Sequence, residues 1–429
     1  MSRNLSISSL FISNQLGNSP MMSVGERQGL SIQKSRFNKF SVSVLNSKSL
    51  RPQIISKSEF SHFTTTALTF ESVRTENGHD KTSFFEAFSC AALTISNCNF
   101  HDITNQDMNG ACCFTYKQDM SYVKILSNTF TKLKNVQADQ NGAFKIISGN
   151  EVTIDKNCFQ ECTTTTNGYA AFSISDIKST MTASNNFITL CGQTNSNILG
   201  VLKPKDGADA KIEFSKNNIT DCYIDTSGII HVKANCKVSF TDSYIYQCEN
   251  PLNSIVKCEK ASTIKISKAN FIEIASDIFY MLGTNTFDSI NLINCHNVGP
   301  STGTFTNCFS NTKDQKNFQY KADLTAQDLG IELICQPPPS KPDEKPEENT
   351  KPDEKPGESS KPEENTKSEE ATKPEGGNQG ENNNQGDAGG SKPLSGGAIA
   401  GIVIAVVVVV AGAIVLAIFL LRRKNSVSA

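Results

Sequence analysis

Tryptophan is missing from all 429 residues, and no arginine occurs between Arg74 and Arg422. The first absence removes the largest aromatic platform for stacking on a sugar. The second leaves that long stretch without a guanidinium to act as a lyase base or to grip a carboxylate in two-pronged fashion. Histidine is scarce too: His62, His79, His101, His231 and His296 are the full set of 5. His79-Asp80 and His101-Asp102 are the adjacent histidine–acid pairs, but neighbours on a strand point to opposite faces and are not expected to cooperate. All five read as ordinary solvated polar residues. There is no nucleophile elbow, phosphate loop, Asp-Asp pair or G-H-G motif. The 14 cysteines all lie between Cys90 and Cys335 and include no C-x2-C pair, which argues against a zinc cluster. No cofactor or metal is expected.

One-sided charge is also lacking. The net charge is −2. Residues 336–395 contribute 8 Lys against 14 Asp or Glu, and Arg422, Arg423 and Lys424 add three positive charges, so residues 1–335 hold 30 basic and 29 acidic groups. Nothing here resembles the basic field that nucleic-acid binding requires, and nucleic acid is not an expected partner. The N-terminal MSRNLSISSLFISNQLGNSP has no apolar run of signal-peptide length.

What is present falls into zones. Gly396 to Leu421, GGAIAGIVIAVVVVVAGAIVLAIFLL, carries no charge. As a helix at about 1.5 Å per residue it is long enough for a hydrocarbon core of about 30 Å. Residues 396–421 therefore predict a transmembrane helix in contact with lipid. Arg422, Arg423 and Lys424 follow at once and read as a stop-transfer signal. They place the tail 422–429 in the cytoplasm and the N-terminal region outside a plasma membrane; a tail-anchored cytosolic protein is the alternative topology. Gly397 and Gly401 form a small-xxx-small pattern that would permit weak homo-association of the span, and the Gly/Ala opening resembles sites cut by rhomboid-type intramembrane proteases. Residues 336–395 repeat a K-P-[DE]-[EK] unit with almost nothing to bury, which predicts a disordered Pro/Lys/Glu-rich stalk.

Residues 1–335 repeat internally. LSIQKSRFNKF (30–40), LTISNCNFHDI (93–103), VTIDKNCFQEC (152–162), IEFSKNNITDC (212–222) and IKISKANFIEI (264–274) share alternating apolar residues, a small polar residue and an apolar anchor. The anchors are Phe37, Phe60, Phe100, Phe130, Phe159, Phe187, Ile219, Ile245 and Phe271, spaced by 23 to 40 residues, with weaker copies at Ile12 and near Asn297. Alternation marks strands with one buried face, and downstream runs such as NGAFKII (141–147) and NGYAAFSI (167–174) supply further strands. Several short strands per coil, stacked at about 4.8 Å, predict an all-β, right-handed parallel β-helix of about 10 to 11 coils.

Three columns follow from this register. Two residues before the anchors stand Asn128, Asn157, Asn185 and Asn217, flanked by Ser58, Cys98 and Ser243, an expected asparagine ladder. Three residues after the anchors, an expected interior column contains Leu133, Cys162, Leu190, Cys222 and Cys248. Cys222 and Cys248 should be in contact or bridged, since the rung spacing suits a disulfide. Two residues after the anchors run Asp102, Lys132, Glu161, Thr189, Asp221, Gln247 and Glu273. No two acids are adjacent there, and about 9.6 Å across a skipped coil is too far for a retaining glycosidase pair.

The N-x-F element paired with an NGA-plus-apolar strand resembles the repeats of polymorphic membrane proteins. With the stalk and the GGAIAGIVIAVVVVV anchor, the chain resembles trichomonad surface proteins that join a right-handed β-helix to one membrane span. That resemblance implies a surface-exposed, adhesin-like, non-enzymatic protein whose partner is a host-cell or matrix protein or a glycan. A polysaccharide-active enzyme and an antigenic or structural coat protein are the other readings. Asn4 (N-L-S) and Asn218 (N-I-T) would be glycosylation acceptors in a secretory lumen, with the Asn218 side chain facing out. Since Leu5 and Ile7 already fit a coil, upstream coding sequence is expected to supply a signal peptide and a cap.

Overall fold

A computed structural model describes residues 4–324, apart from 72–90, 107–109, 118–120, 166, 194–195, 202–209, 225–227, 234 and 300–301. The expected stalk 336–395, span 396–421 with Gly397 and Gly401, and tail with Arg422, Arg423 and Lys424 lie outside the described residues. The described residues belong to one compact unit, Met1–Glu347. They form strands and turns without an α-helix, so no helix among them is long and apolar enough to cross a membrane.

The chain coils into a parallel β-solenoid. The strands form a 20-stranded and a 14-stranded sheet, and all but Thr163–Thr164 of the smaller sheet lie on one path. Residues one repeat apart stack directly: Phe100 over Phe130, Phe130 over Phe159, Ile219 over Ile245. The larger sheet takes two strand segments from most coils. The long strands Phe144–Asp155 and Tyr169–Ser184 carry both segments in one run, which joins the two faces into a single sheet. Two short rungs, Phe309–Ser310 and Gln319–Tyr320, continue the stack past the last repeat visible in sequence.

Alternation accounts for the core. The anchors, the residues two before them and the residues three after them face inward, and Phe37, Phe60, Phe100, Phe130 and Phe159 are all fully buried. Their rings stack down the axis, with centroids 4.8 Å apart for Phe60–Phe100 and for Phe130–Phe159. A second pile, Phe114–Phe144–Phe172, stacks at 4.7 and 5.0 Å. Such offset pairs contribute beyond their area burial.

A ladder of buried asparagines fixes the corner between the sheets. Asn128 Nδ2 donates to Asn157 Oδ1, Asn157 Nδ2 to Asn186 Oδ1, and Asn186 Nδ2 to Asn217 Oδ1, each at 3.0 Å. Each Oδ1 also accepts the backbone N–H of the previous rung, as Asn157 Oδ1 does from Asn128 at 3.0 Å. Ser243 and Ser58 carry the same contact on through their hydroxyls. The expected member Asn185 is not in the ladder; Asn186 is. Asn185 is exposed with φ 53° and donates instead to Asp155 Oδ1 at 2.7 Å.

The cause is a one-residue error in that coil. Ile188, not Phe187, pairs with Phe159 and Ile219, so Phe187 faces outward. The interior residue three later is then Cys191, 1% exposed, while Leu190 is 51% exposed. The column two residues after the anchors likewise contains Leu190 in place of Thr189. The strand before the corner carried the correct signal: Met181 and Ala183 pair with Ile212 and Phe214, and counting from Ala183 gives Ile188.

Asn157 accepts from two donors and itself donates to Ile125 O, Asp155 O and Asn186 Oδ1. Asn157→Ala should destabilise the solenoid by about 2–3 kcal/mol, since it strands buried groups. Asn185→Gly, at an exposed left-handed residue, should change stability by less than about 0.5 kcal/mol. Urea unfolding followed by circular dichroism checks both; equal losses would contradict the ladder assignment.

Candidate binding groove

Two columns of left-handed residues frame the smaller sheet. One precedes the ladder (Asn97, Ser127, Lys156, Asn185, Lys216) and one follows the anchors by two (His62, Asp102, Lys132, Glu161, Asp221), all with φ between 50° and 57°. A left-handed residue ends the strict alternation of a strand, so it and its predecessor no longer point to opposite sides. This overturns the expectation for His101-Asp102. His101 Nδ1 lies 2.8 Å from Asp102 Oδ2.

Around that pair the outer face carries a charged cluster. His101 Nε2 is 3.4 Å from Glu59 Oε1, and Arg36 Nε donates to Glu59 Oε2 at 3.1 Å. His62 meets His101 edge to face, with centroids 6.1 Å apart. Register explains the assembly: Arg36, Glu59 and Asn99 stack in the row before the anchors, while Asn38, Ser61 and His101 stack in the row after them. Both ring nitrogens of His101 face carboxylates, which suits the doubly protonated imidazolium. The hydrogen bond to Glu59 raises the His101 pKa above its usual value. The bond from His101 lowers Glu59 and Asp102.

Beside the cluster lies an open groove of about 300 Å³ lined by Asn99, His101, Asp102, Thr129, Thr131, Lys132, Cys158 and Gln160. It offers a cation, a carboxylate, an imidazole, the Thr131 hydroxyl and two amides. Those groups suit a small anionic or polyhydroxylated moiety.

The other expected site residues are scattered. Asn4 is exposed at the edge of the stack, and Asn218 is half-buried on the outward row of the smaller sheet. Cys222 and Cys248 lie in the interior column on successive rungs as free thiols joined by a hydrogen bond, with Cys162 and Cys191 continuing the same column. Burial holds the Cys222 and Cys248 thiols well above their usual range, so both remain protonated and unreactive. Among the described residues no cluster of three or more His, Cys, Asp or Glu is arranged to hold a metal ion.

His231 departs from the solvated reading. It stands on the outward row next to Gly200 yet is 4% exposed, because the Tyr169 ring fills the space a side chain at residue 200 would take. Its Nε2 is 2.8 Å from Glu259 Oε1, and burial lowers its pKa to about 4. Nothing in the local sequence signals this; the glycine opposite is the one available clue.

The His101 network should stabilise the fold over a bounded pH range. A raised histidine pKa gives stability that is full below about 6.5 and lost as pH rises through the folded value. Lowered Glu59 and Asp102 values give stability that is present above about 4.5 and lost as pH falls through theirs. The difference in urea midpoint between the native chain and His101→Gln should therefore be largest between about pH 4.5 and 6.5 and stay under about 1 kcal/mol, because the groups are partly solvated. A difference that grows above pH 8 would refute the assignment. No protein family, curated protein or solved structure matches this chain.

Proposed function

We propose that this chain is a cell-surface, single-pass membrane protein that displays a right-handed β-solenoid as an adhesin-like binding module. In this reading the span 396–421 and the basic residues Arg422, Arg423 and Lys424 hold it in the plasma membrane, and the stalk 336–395 lifts the solenoid outward. The observation that carries the binding role is the groove beside His101. It sits on a rigid, ladder-supported sheet, and its lining is polar and charged on a surface where every rung can be decorated independently. Pre-positioned groups on a stiff scaffold bind with little ordering cost. The chemistry of the lining favours an acidic or polyhydroxylated epitope, as on a host-cell or matrix glycan or protein. The resemblance of its N-x-F and NGA elements to the repeats of polymorphic membrane proteins, and of its stalk and anchor to trichomonad surface proteins, is in keeping with the same role.

A second reading, a polysaccharide-active enzyme, is favoured by one feature: His101 stands between two carboxylates, an arrangement able to move a proton. Purified residues 1–335 incubated with polygalacturonan and related polymers separate the two. Binding without turnover supports the module, and turnover abolished by His101→Ala supports the enzyme. On a glycan and matrix-protein array, the double variant Glu59→Ala, His101→Ala should weaken the strongest signal about tenfold, or about 1.4 kcal/mol. An unchanged signal would remove the groove from the binding role. Endoglycosidase treatment of the cell-derived protein tests topology: a mobility shift traced to Asn4 or Asn218 places that region in the secretory lumen.

A further inference from the structure

Charge is unevenly distributed along the chain, a feature that the near-neutral total conceals. Residues 1–71 hold 8 basic and 3 acidic groups, whereas residues 72–335 hold 22 basic and 26 acidic. The arginines that precede the apolar stretch, Arg3, Arg27, Arg36, Arg51 and Arg74, all fall in the first 74 residues.

Much of this charge gathers on one surface. Lys34 and Lys57 occupy the left-handed corner before the anchors, with φ 49° and 50°, and Lys39 occupies the corner after them, with φ 59°. The flanking pairs Gln33–Ser56 and Arg36–Glu59 set Lys34 over Lys57 on adjacent rungs. All three lysines are exposed. Arg36 stands between the two corners on the outer face, and its side chain is 68% exposed although it is bound to Glu59. Next to it in the same row is Phe11, 65% exposed.

Like charges on neighbouring strands repel, and elsewhere the corner columns avoid them. Asp102, Lys132 and Glu161 alternate in sign, Asn185 separates Lys156 from Lys216, and Asp242 lies 3.9 Å from Lys268. Among the described residues, Lys34 over Lys57 is the one like-charged pair on adjacent rungs of either column. Neither these lysines nor Lys39 forms an ion pair with a described residue, and Glu59, the acid of the adjoining row, is already engaged by Arg36 and His101. The fold gains nothing from this repulsion, which a bound anion would relieve.

The three rungs concerned span two intervals of about 4.8 Å, roughly 10 Å along the axis. That field is short for a nucleic-acid backbone, whose affinity draws on many phosphates. It suits a few sugar units, with a ring face packed on Phe11 and acidic groups meeting the lysines and the guanidinium. We infer that Phe11, Lys34, Arg36, Lys39 and Lys57 form a binding surface for a linear anionic polysaccharide carrying sulfate or carboxylate groups. The surface adjoins the groove beside His101 but shares none of its lining residues. It depends neither on that groove nor on the proposed membrane topology.

Full-length protein in mild detergent, passed over immobilised heparin, hyaluronan, uncharged dextran and single-stranded DNA, tests the inference. A heparin signal without a hyaluronan signal assigns sulfate, and a hyaluronan signal assigns carboxylate. Binding to neither, equal binding to dextran, or tighter binding to the DNA would overturn it. Lys34→Gln combined with Lys57→Gln should weaken the polysaccharide signal about tenfold, and Phe11→Ser should weaken it severalfold. Glutamine already fills such a corner at Gln247, and the lysine double variant removes a repulsion, so its urea midpoint should not fall. Lys156→Gln combined with Lys216→Gln takes the same charge from the same column and should change the signal less than about twofold. Equal losses in the two double variants would mean unspecific charge attraction and refute the surface. The groove variant Glu59→Ala, His101→Ala should not weaken polysaccharide binding; a tenfold loss there would move the site into the groove and overturn the inference.

Discussion

Every rung of this solenoid depends on the rung beneath it presenting the same chemistry at the same height. A single coil exposes both edges of its strands and half of its side-chain contacts. The asparagine ladder shows how strict that dependence is. The side-chain carbonyls of Asn157, Asn186 and Asn217 each accept a backbone and a side-chain donor from one neighbour, and the amides of Asn128, Asn157 and Asn186 each donate to the neighbour on the other side and to a strand carbonyl of the preceding rung. A hydrophobic residue there would leave the backbone donors of the corner buried and unpaired, at a cost of about 1–3 kcal/mol each. Serine meets part of the demand at Ser58 and Ser243, and Cys98 sits in the same column where its own N–H is bonded by Asn128.

The corners impose a second constraint. Left-handed residues flank the smaller sheet on both sides, rung after rung, and few of them are glycine. Most of the positions are filled by Asn, Asp, Ser, Lys and Glu, with His62, Leu190 and Gln247 among the others. Asn and Asp tolerate this conformation through local hydrogen bonding, while the long charged residues place their ionic groups in solvent just beyond the turn. A structural requirement thereby supplies the surface chemistry: Asp102 and Lys132 are corner residues first and groove residues second.

Burial then sorts the polar groups by reactivity. The interior thiols of Cys162, Cys191, Cys222 and Cys248 are held protonated by desolvation and act as small apolar spacers. His231 is kept neutral in the same way, whereas His101, half in solvent and between two carboxylates, is pushed toward its charged form. Two histidines on one solenoid thus acquire opposite tendencies from burial and neighbours alone.

The sequence by itself determined the class of fold, the identity of most anchors and the ladder at Asn128, Asn157 and Asn217, because stacking forces like residues to recur at like positions. It also marked the apolar stretch 396–421 and the Pro/Lys/Glu repeat by composition. It misplaced the coil around Ile188, where consecutive Asn185-Asn186 and Phe187-Ile188 each offer two side chains of the right kind. Only pairing with the rungs on either side distinguishes them, since a one-residue slip exchanges inside for outside. The groove was less legible still. His101 and Asp102 look incompatible on a strand, and Arg36 and Glu59 are distant in sequence. The left-handed turn at Asp102 and the parallel register bring the four together, and both are set by contacts between coils that no local pattern contains.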